Sequence, residues 1–341
     1  FMNTINAVGY LAGALGASRV VRRVGPFAAV WGGTLVCLFS LALSAASGQV
    51  VIFSLARLLL GIGAAVSLVG GGALTATIAQ AHPARAAVLL SLFYTGPAVG
   101  IIVSGLVSPF ILQGLGPGSW WVVWVALTSI SLVFTLVLYL NRIDTPAPPR
   151  DVAPVRVPVG PMLSYLIGYG LFGAGYIAYM TFMIAYVRDA GGDALAQSAF
   201  WCAIGAGAFV SPWMWRRLIA RGDSGMAMAI LMGLTMVGAA LPMFGHSALL
   251  LGASALLFGV AFFAVVTATT AFVRFNYPPA AWPQAIGVMT VAFSVGQTLG
   301  PFATGALTDA LGSLFYTLVA SAAALAVGVI AAACQRPLSR R

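Results

Sequence analysis

Eleven apolar runs follow one another along this chain with almost no charge inside them. They cover residues 1–18, 26–46, 50–79, 87–112, 120–140, 162–187, 195–215, 226–245, 248–275, 284–307 and 313–334. A helix needs about twenty apolar residues to cross the hydrocarbon core of a bilayer, and these runs have that length. Barrel strands would alternate polar and apolar over about ten residues. In lipid every backbone polar group must find an internal partner, and a helix supplies one within its own turns. The expected fold class is therefore an all-α membrane protein. Only 6% of the residues are charged and 61% are hydrophobic. A soluble domain carries about 25% charge, so lipid must be the solvent for most of this surface.

The basic residues set the expected orientation. All sixteen are arginine. Fourteen follow or end odd-numbered runs: Arg19, Arg22, Arg23, Arg85, Arg142, Arg150, Arg156, Arg216, Arg217, Arg221, Arg274, Arg336, Arg340 and Arg341. The other side has Arg188 alone, and Arg57 lies inside a run. Arginine-rich loops stay in the cytoplasm, which places the C-terminus inside. The net charge of +10 is then read as lipid head-group anchoring and not as nucleic-acid binding. Eleven spans would leave Phe1 outside, and the expectation is one further span ahead of it. Cys37, Cys202 and Cys334 lie in apolar runs and read as small buried hydrophobes. His82 and His246 stand alone at loop edges.

The chain repeats itself. Leu58-Leu59-Leu60-Gly61-Ile62-Gly63 matches Leu256-Leu257-Phe258-Gly259-Val260-Ala261 at an offset of 198. Arg19 with Gly25 matches Arg216 with Gly222, and Gly96-Pro97 matches Gly300-Pro301. Three matches in one order at nearly one offset imply two parallel halves. The predicted organisation is an N-terminal bundle at 1–140 with five spans, a linker at 141–161, a six-helix bundle at 162–335 and a tail at 336–341.

Several side chains stand out. Arg57 lies two turns into its span, where a charge costs about 2.5–3.5 kcal/mol near the helix centre, so it faces either the protein interior or the head groups by snorkelling. Tyr165, Tyr169, Phe172, Tyr176 and Tyr179 are spaced 4, 3, 4 and 3, which aligns five aromatics on one face. That face borders a wet cavity or packs on polar groups of a neighbour. Thr290, Ser294 and Gln297 form a second polar face, with Thr298 beside it. Gly96-Pro97-Ala98-Val99-Gly100 and the run from Gly296 through Gly300 and Pro301 to Gly305 are expected to break their helices as hinges or packing points. All six carboxylates, Asp144, Asp151, Asp189, Asp193, Asp223 and Asp309, stand at loops or span ends. No phosphate loop, zinc-ligand set or nucleophile–base pair is present, so no cofactor, metal or enzymatic activity is expected.

On these residues the chain resembles the major facilitator superfamily. Arg57-x-x-x-Gly61-x-Gly63 is similar to that family's fourth-span motif, and Gly96-Pro97-x-x-Gly100 to its fifth-span antiporter motif. Residues 13–25 resemble its loop motif after the second span. Ser18 or Ala17 stands where that loop normally carries an aspartate, and Leu92 and Ile101 stand at outer glycine positions of the antiporter motif. The texture of 9–15 and of 169–179 resembles the YbfB/YjiJ-type branch. The resemblance implies two six-helix bundles around a cavity bordered by Arg57 and the spans 162–187 and 284–307, with alternating access. It implies a multi-pass, monomeric secondary transporter of the bacterial inner membrane, possible proton coupling included. Arg57, Tyr169, Tyr176, Tyr179, Thr290, Ser294 and Gln297 are the candidate solute or coupling residues. Gly96, Pro97, Gly100, Gly300, Pro301 and Gly305 are the candidate hinges. With one deep arginine and no deep acid, the expected solute is neutral or anionic. The competing reading is a non-transporting membrane sensor or an inactive fragment.

Overall fold

The computed structural model describes residues 2–81, 86–142, 157–278 and 281–338. His82, Arg85, Asp144, Arg150, Asp151, Arg156, Arg340 and Arg341 lie outside these residues, as does most of the expected linker. The described chain is helical: α1 (Met2–Val24), α2 (Pro26–Ala46), α3 (Val50–Ala81), α4 (Ala86–Leu115), α5 (Trp120–Leu140), α6 (Leu163–Asp189), α7 (Ala194–Met214), α8 (Arg216–Ile219), α9 (Met226–Ala240), α10 (Ala248–Asn276), α11 (Trp282–Leu311) and α12 (Leu314–Ala333). Ten of these are long and apolar enough to cross a membrane. The 23-residue α1 is long enough, but Asn3, Asn6 and three arginines dilute its apolar character.

Helix ends follow local chemistry. The first helix runs past the expected end at residue 18, through Arg22 and Arg23, because arginine is a good helix former. It stops at Gly25, whose φ of 86° suits a residue without Cβ, and Pro26 starts α2 with its ring at a position that needs no N–H. The carboxylate of Asp193 accepts from the Ala196 N–H at 2.8 Å, and Ser247 and Ser313 cap α10 and α12 in the same way. The short α8 was not anticipated, since four residues carry no periodic signal. Helices α4 and α11 run unbroken through Pro97 and Pro301, contrary to the expectation of a break. A proline removes one helical hydrogen bond, and neighbouring turns hold the rod.

The chain divides into two compact units, Phe1–Phe93 with Val107–Ala153, and Tyr94–Leu106 with Pro154–Arg341. In the first unit α3 packs between α1 and α2, and α2 packs on α5. In the second unit α6 lies against α11 and α12, α10 against α7 and α9, and α9 against α12. Residues 94–106 meet α7, where Ala98 and Ile102 close on Gly205. Lipid-type surface is plain on α5, where Leu132, Val133, Phe134, Leu136, Val137 and Leu140 are exposed. Of the cysteines, Cys37 and Cys202 are half-buried, and Cys334, expected inside, is exposed at the end of α12.

The sequence repeat reappears as a repeated helix crossing. In the first unit Gly61 of α3 lies on Asn6 and Gly9 of α1; a Cβ there would come within 2.1 Å of the Asn6 carbonyl oxygen. In the second unit Gly259 of α10 lies on Ile204 and Gly207 of α7, with a Cβ 2.4 Å from the Ile204 carbonyl oxygen. Residues 6, 9 and 61 and residues 204, 207 and 259 differ by the same 198 positions found in the sequence. Missing side chains at these points let the backbones touch, as in close-packed membrane helices generally.

Candidate functional site

The aromatic stripe of α6 is divided by its environment. Tyr165 and Tyr179 are fully buried. The Tyr165 hydroxyl donates to Thr269 Oγ1 at 3.3 Å. Tyr179 and Ser254 are 2.6 Å apart, and Ser254 Oγ donates to the Gly238 carbonyl at 2.7 Å. A serine hydroxyl has one proton, so the Tyr179 hydroxyl is the donor in that relay. Their rings stack on Phe272 and Phe258 of α10, centroids 4.2 Å apart in each case. These two tyrosines pack the second unit together and present no open group.

Between them the stripe meets α11. Phe293 stacks on Tyr169 at 5.1 Å and on Tyr176 at 5.5 Å, and Phe172 stacks on Tyr176 at 5.1 Å. Phe262 of α10 lies 6.1 Å from Tyr176, nearly parallel to it. Tyr169 is buried, whereas Tyr176 is half-buried. One turn beyond Phe293, Gln297 donates through Nε2 to the Tyr176 hydroxyl at 2.6 Å. Its Oε1 is buried with no hydrogen-bond partner among the described residues. An unmet buried polar group costs about 1–3 kcal/mol, which marks the position as more than filler. The other two members of the expected polar face are satisfied inside α11. Thr290 Oγ1 donates to the Ile286 carbonyl and Ser294 Oγ to the Thr290 carbonyl, and Ser294 is fully buried. The structure thus joins Tyr169, Tyr176 and Gln297 in one cluster and leaves Tyr179, Thr290 and Ser294 in packing roles. Sequence reading missed Phe262 and Phe293. The spacing of four from Phe293 to Gln297 placed them on one face, a signal that was available.

Arg57 belongs to the first unit. Its guanidinium lies over the Trp124 ring of α5 at 4.4 Å and the Phe53 ring at 4.9 Å. One Nη donates to Ser44 Oγ at 2.8 Å, and Ser44 donates in turn to the Ser40 carbonyl. Its Nε is buried with no partner among the described residues. The arginine therefore ties α2, α3 and α5 together through a hydroxyl and two ring faces, partners the sequence reading did not name. Each cation–π contact is worth about 0.5–2 kcal/mol, more as water is excluded.

The glycine motifs serve two different ends. Gly296 and Gly300 are points of close approach at the α6–α11 crossing, as is Gly173 on the facing helix. A Cβ on Gly296 would fall 1.8 Å from the Gly170 carbonyl oxygen, and one on Gly300 2.4 Å from that of Ala174. Pro301 is buried beside them. Thr304 Oγ1 donates to the Gly300 carbonyl at 2.8 Å. Gly96 and Gly100 have open space where a Cβ would stand, and Gly305 has only ordinary contact with Phe182. Packing therefore explains Gly300 and not its repeat counterpart Gly96. Among the described residues no group of three or more metal-ligating side chains occurs.

A family model described as "Uncharacterised MFS-type transporter YbfB" matches residues 1–333. No curated protein matches the chain in sequence. Among solved structures, the major facilitator transporter FucP in its outward conformation matches with a TM-score of 0.66 at 14% identity, over 97% of this chain and 88% of that one. A single-residue variant of the E. coli fucose:proton symporter FucP matches at 0.63 and 16% identity, over 97% and 89%. The human organic anion transporter MFSD10 (TETRAN) matches at 0.67 and 16% identity, over 97% and 82%. At these identities the likeness establishes a shared fold, and the family match establishes membership. With multiple membrane-spanning helices, this fold and that match over nearly its whole length, the chain belongs to the YbfB-type family of major facilitator superfamily transporters and is a secondary transporter of small-molecule solutes.

Proposed function

We propose that the chain moves a small organic solute across a bacterial inner membrane by alternating access, as a monomer, with a proton gradient as its driving force. It does so with eleven spans in groups of five and six, residues 1–140 and 162–335, joined by the linker 141–161. The tail 336–341 is cytoplasmic in this reading. The observation that carries it is the Tyr176–Gln297 pair, held among aromatic faces in the second unit with one end of the amide unmet. An unmet polar group in apolar surroundings is what a solute with a complementary group would find. The fold shared with a fucose:proton symporter supports proton coupling. No described carboxylate lies deep within a span, which favours a neutral or anionic solute over a cation.

The candidate residues take unequal shares. Tyr176 and Gln297 contact the solute, with Tyr169 behind them. Tyr179, Thr290 and Ser294 hold the helices that present them. Arg57 acts on coupling by fixing α2, α3 and α5. Gly96, Pro97, Gly100, Gly300, Pro301 and Gly305 accommodate the helix movements. The test is an uptake screen on proteoliposomes incubated with a metabolite extract, read by mass spectrometry with and without an imposed pH gradient. At least one solute should accumulate in the wild type and fail to do so in Gln297→Leu. A wild type that accumulates and releases nothing in either direction would return the chain to the sensor reading.

A further inference from the structure

We infer that the transported solute is uncharged and planar with a hydrogen-bonding group at its edge, and that Tyr176, Phe262, Phe293 and Gln297 hold it. The inference rests on reading this cluster as the solute site.

The amide defines the polar half of the recognition. Gln297 meets Tyr176 through one end, and the other end is buried with no partner among the described residues. Turning the amide over does not remove the deficit. The tyrosine hydroxyl would then donate to Oε1, and the NH2 group would be the one left over. Either way the site offers one unmet amide group beside a phenol. A solute amide or hydroxyl complements that arrangement, because each can both give and take a hydrogen bond.

The rings define the apolar half. Tyr176 is tilted only 17° from Phe293 and 18° from Phe262. These spacings lie in the range of offset stacking, about 4.5–7 Å, so the rings already stack on one another, and a flat solute is the shape that extends such a stack. Charge is missing from the surroundings. Helix α6 has no charged residue before Arg188, α10 has only Arg274 in its last turn, and α11 only Asp309 near its end. The Arg274 guanidinium is engaged over the Trp282 ring at 5.5 Å. An anion would meet the negative faces of three rings with no cation to offset its lost hydration. A cation would gain from those faces but would find no carboxylate to pair with.

The experiment compares three probes of one shape on the full chain in nanodiscs at pH 7: benzamide, benzoate and benzylammonium. Binding is measured by calorimetry, and thermal unfolding is followed in parallel. Benzamide should bind at least tenfold more tightly than either ion. Gln297→Leu should weaken it by tenfold or more while leaving the unliganded unfolding temperature high enough to measure. If that variant does not fold, Gln297→Met, which also removes the amide at similar length, takes its place. The probe ranking on the wild type needs no variant. Benzoate or benzylammonium binding as tightly as benzamide, and losing affinity in Gln297→Leu, would overturn the uncharged class while leaving the site intact. Benzamide binding that is indifferent to Gln297→Leu would overturn the site as well. Failure of benzamide to bind the wild type would overturn the inference outright.

Discussion

Replacing Gly61 or Gly259 by alanine tests the repeated crossing on which the architecture rests. At Gly61 the new Cβ would lie 2.1 Å from the Asn6 carbonyl oxygen, and at Gly259 2.4 Å from that of Ile204. Ordinary contact begins at 3.4 Å, so α1 and α3, or α7 and α10, must separate by about 1 Å. The obstacle is backbone, which cannot turn aside as a side chain can. Overpacking of this kind costs typically about 1–3 kcal/mol. Alanine returns up to about 1 kcal/mol through its higher helix propensity. Gly72 of α3 and Gly252 of α10 stand in open space, where the same change keeps only the gain. The propensity gain is common to both, so the crossing and open variants should differ by the overpacking cost, about 1–3 kcal/mol. Denaturant unfolding in mixed micelles, followed by the fluorescence of the eight tryptophans, reads that difference. The crossing variants should shift to lower denaturant and the open ones should not. Equal midpoints for Gly61→Ala and Gly72→Ala would refute the close approach. A loss at Gly61 without one at Gly259 would refute the equivalence of the two crossings.

Ser254→Ala should cost more stability than Tyr179→Phe, about 1–3 against about 1 kcal/mol. The first strands the fully buried tyrosine hydroxyl and the second leaves Ser254 still bonded to Gly238; unfolding midpoints of the two variants decide it. Arg57→Ala should lower transport sharply and loosen the first unit. Arg57→Lys should rescue it poorly, because an ammonium cannot span Ser44 and two ring faces as the planar guanidinium does. Uptake and membrane expression measured together would expose the error if either variant transports normally. A reporter fused at the C-terminus should read cytoplasmic and one within 113–119 external; the opposite pattern would reverse the orientation drawn from the arginines.

Much of the fold was legible because the bilayer reduces helix formation to length and apolarity, which are local properties. The spans of α2, α3, α5, α7 and α12 sit within a residue or two of their apolar runs for that reason. The glycine repeat was legible too, since a crossing that admits no side chain must be written as glycine in both halves. The end of α1 was not, because Arg22 and Arg23 read equally well as loop anchors or as a helical turn, and only the turn at Gly25 separates these. The five aromatics of α6 looked equivalent in sequence, where periodicity gives a face but not what lies opposite. Their neighbours come from α10 and α11, a hundred or so residues later, and those neighbours satisfy Tyr165 and Tyr179, while the Gln297 Oε1 finds no partner among the described residues. Arg57 shows the same limit. Its depth was readable from its place in the run, but Ser44 and Trp124 become its partners only when α2 and α5 fold against α3, since a hydrogen bond or ring contact depends on helix rotation, which sequence spacing does not specify.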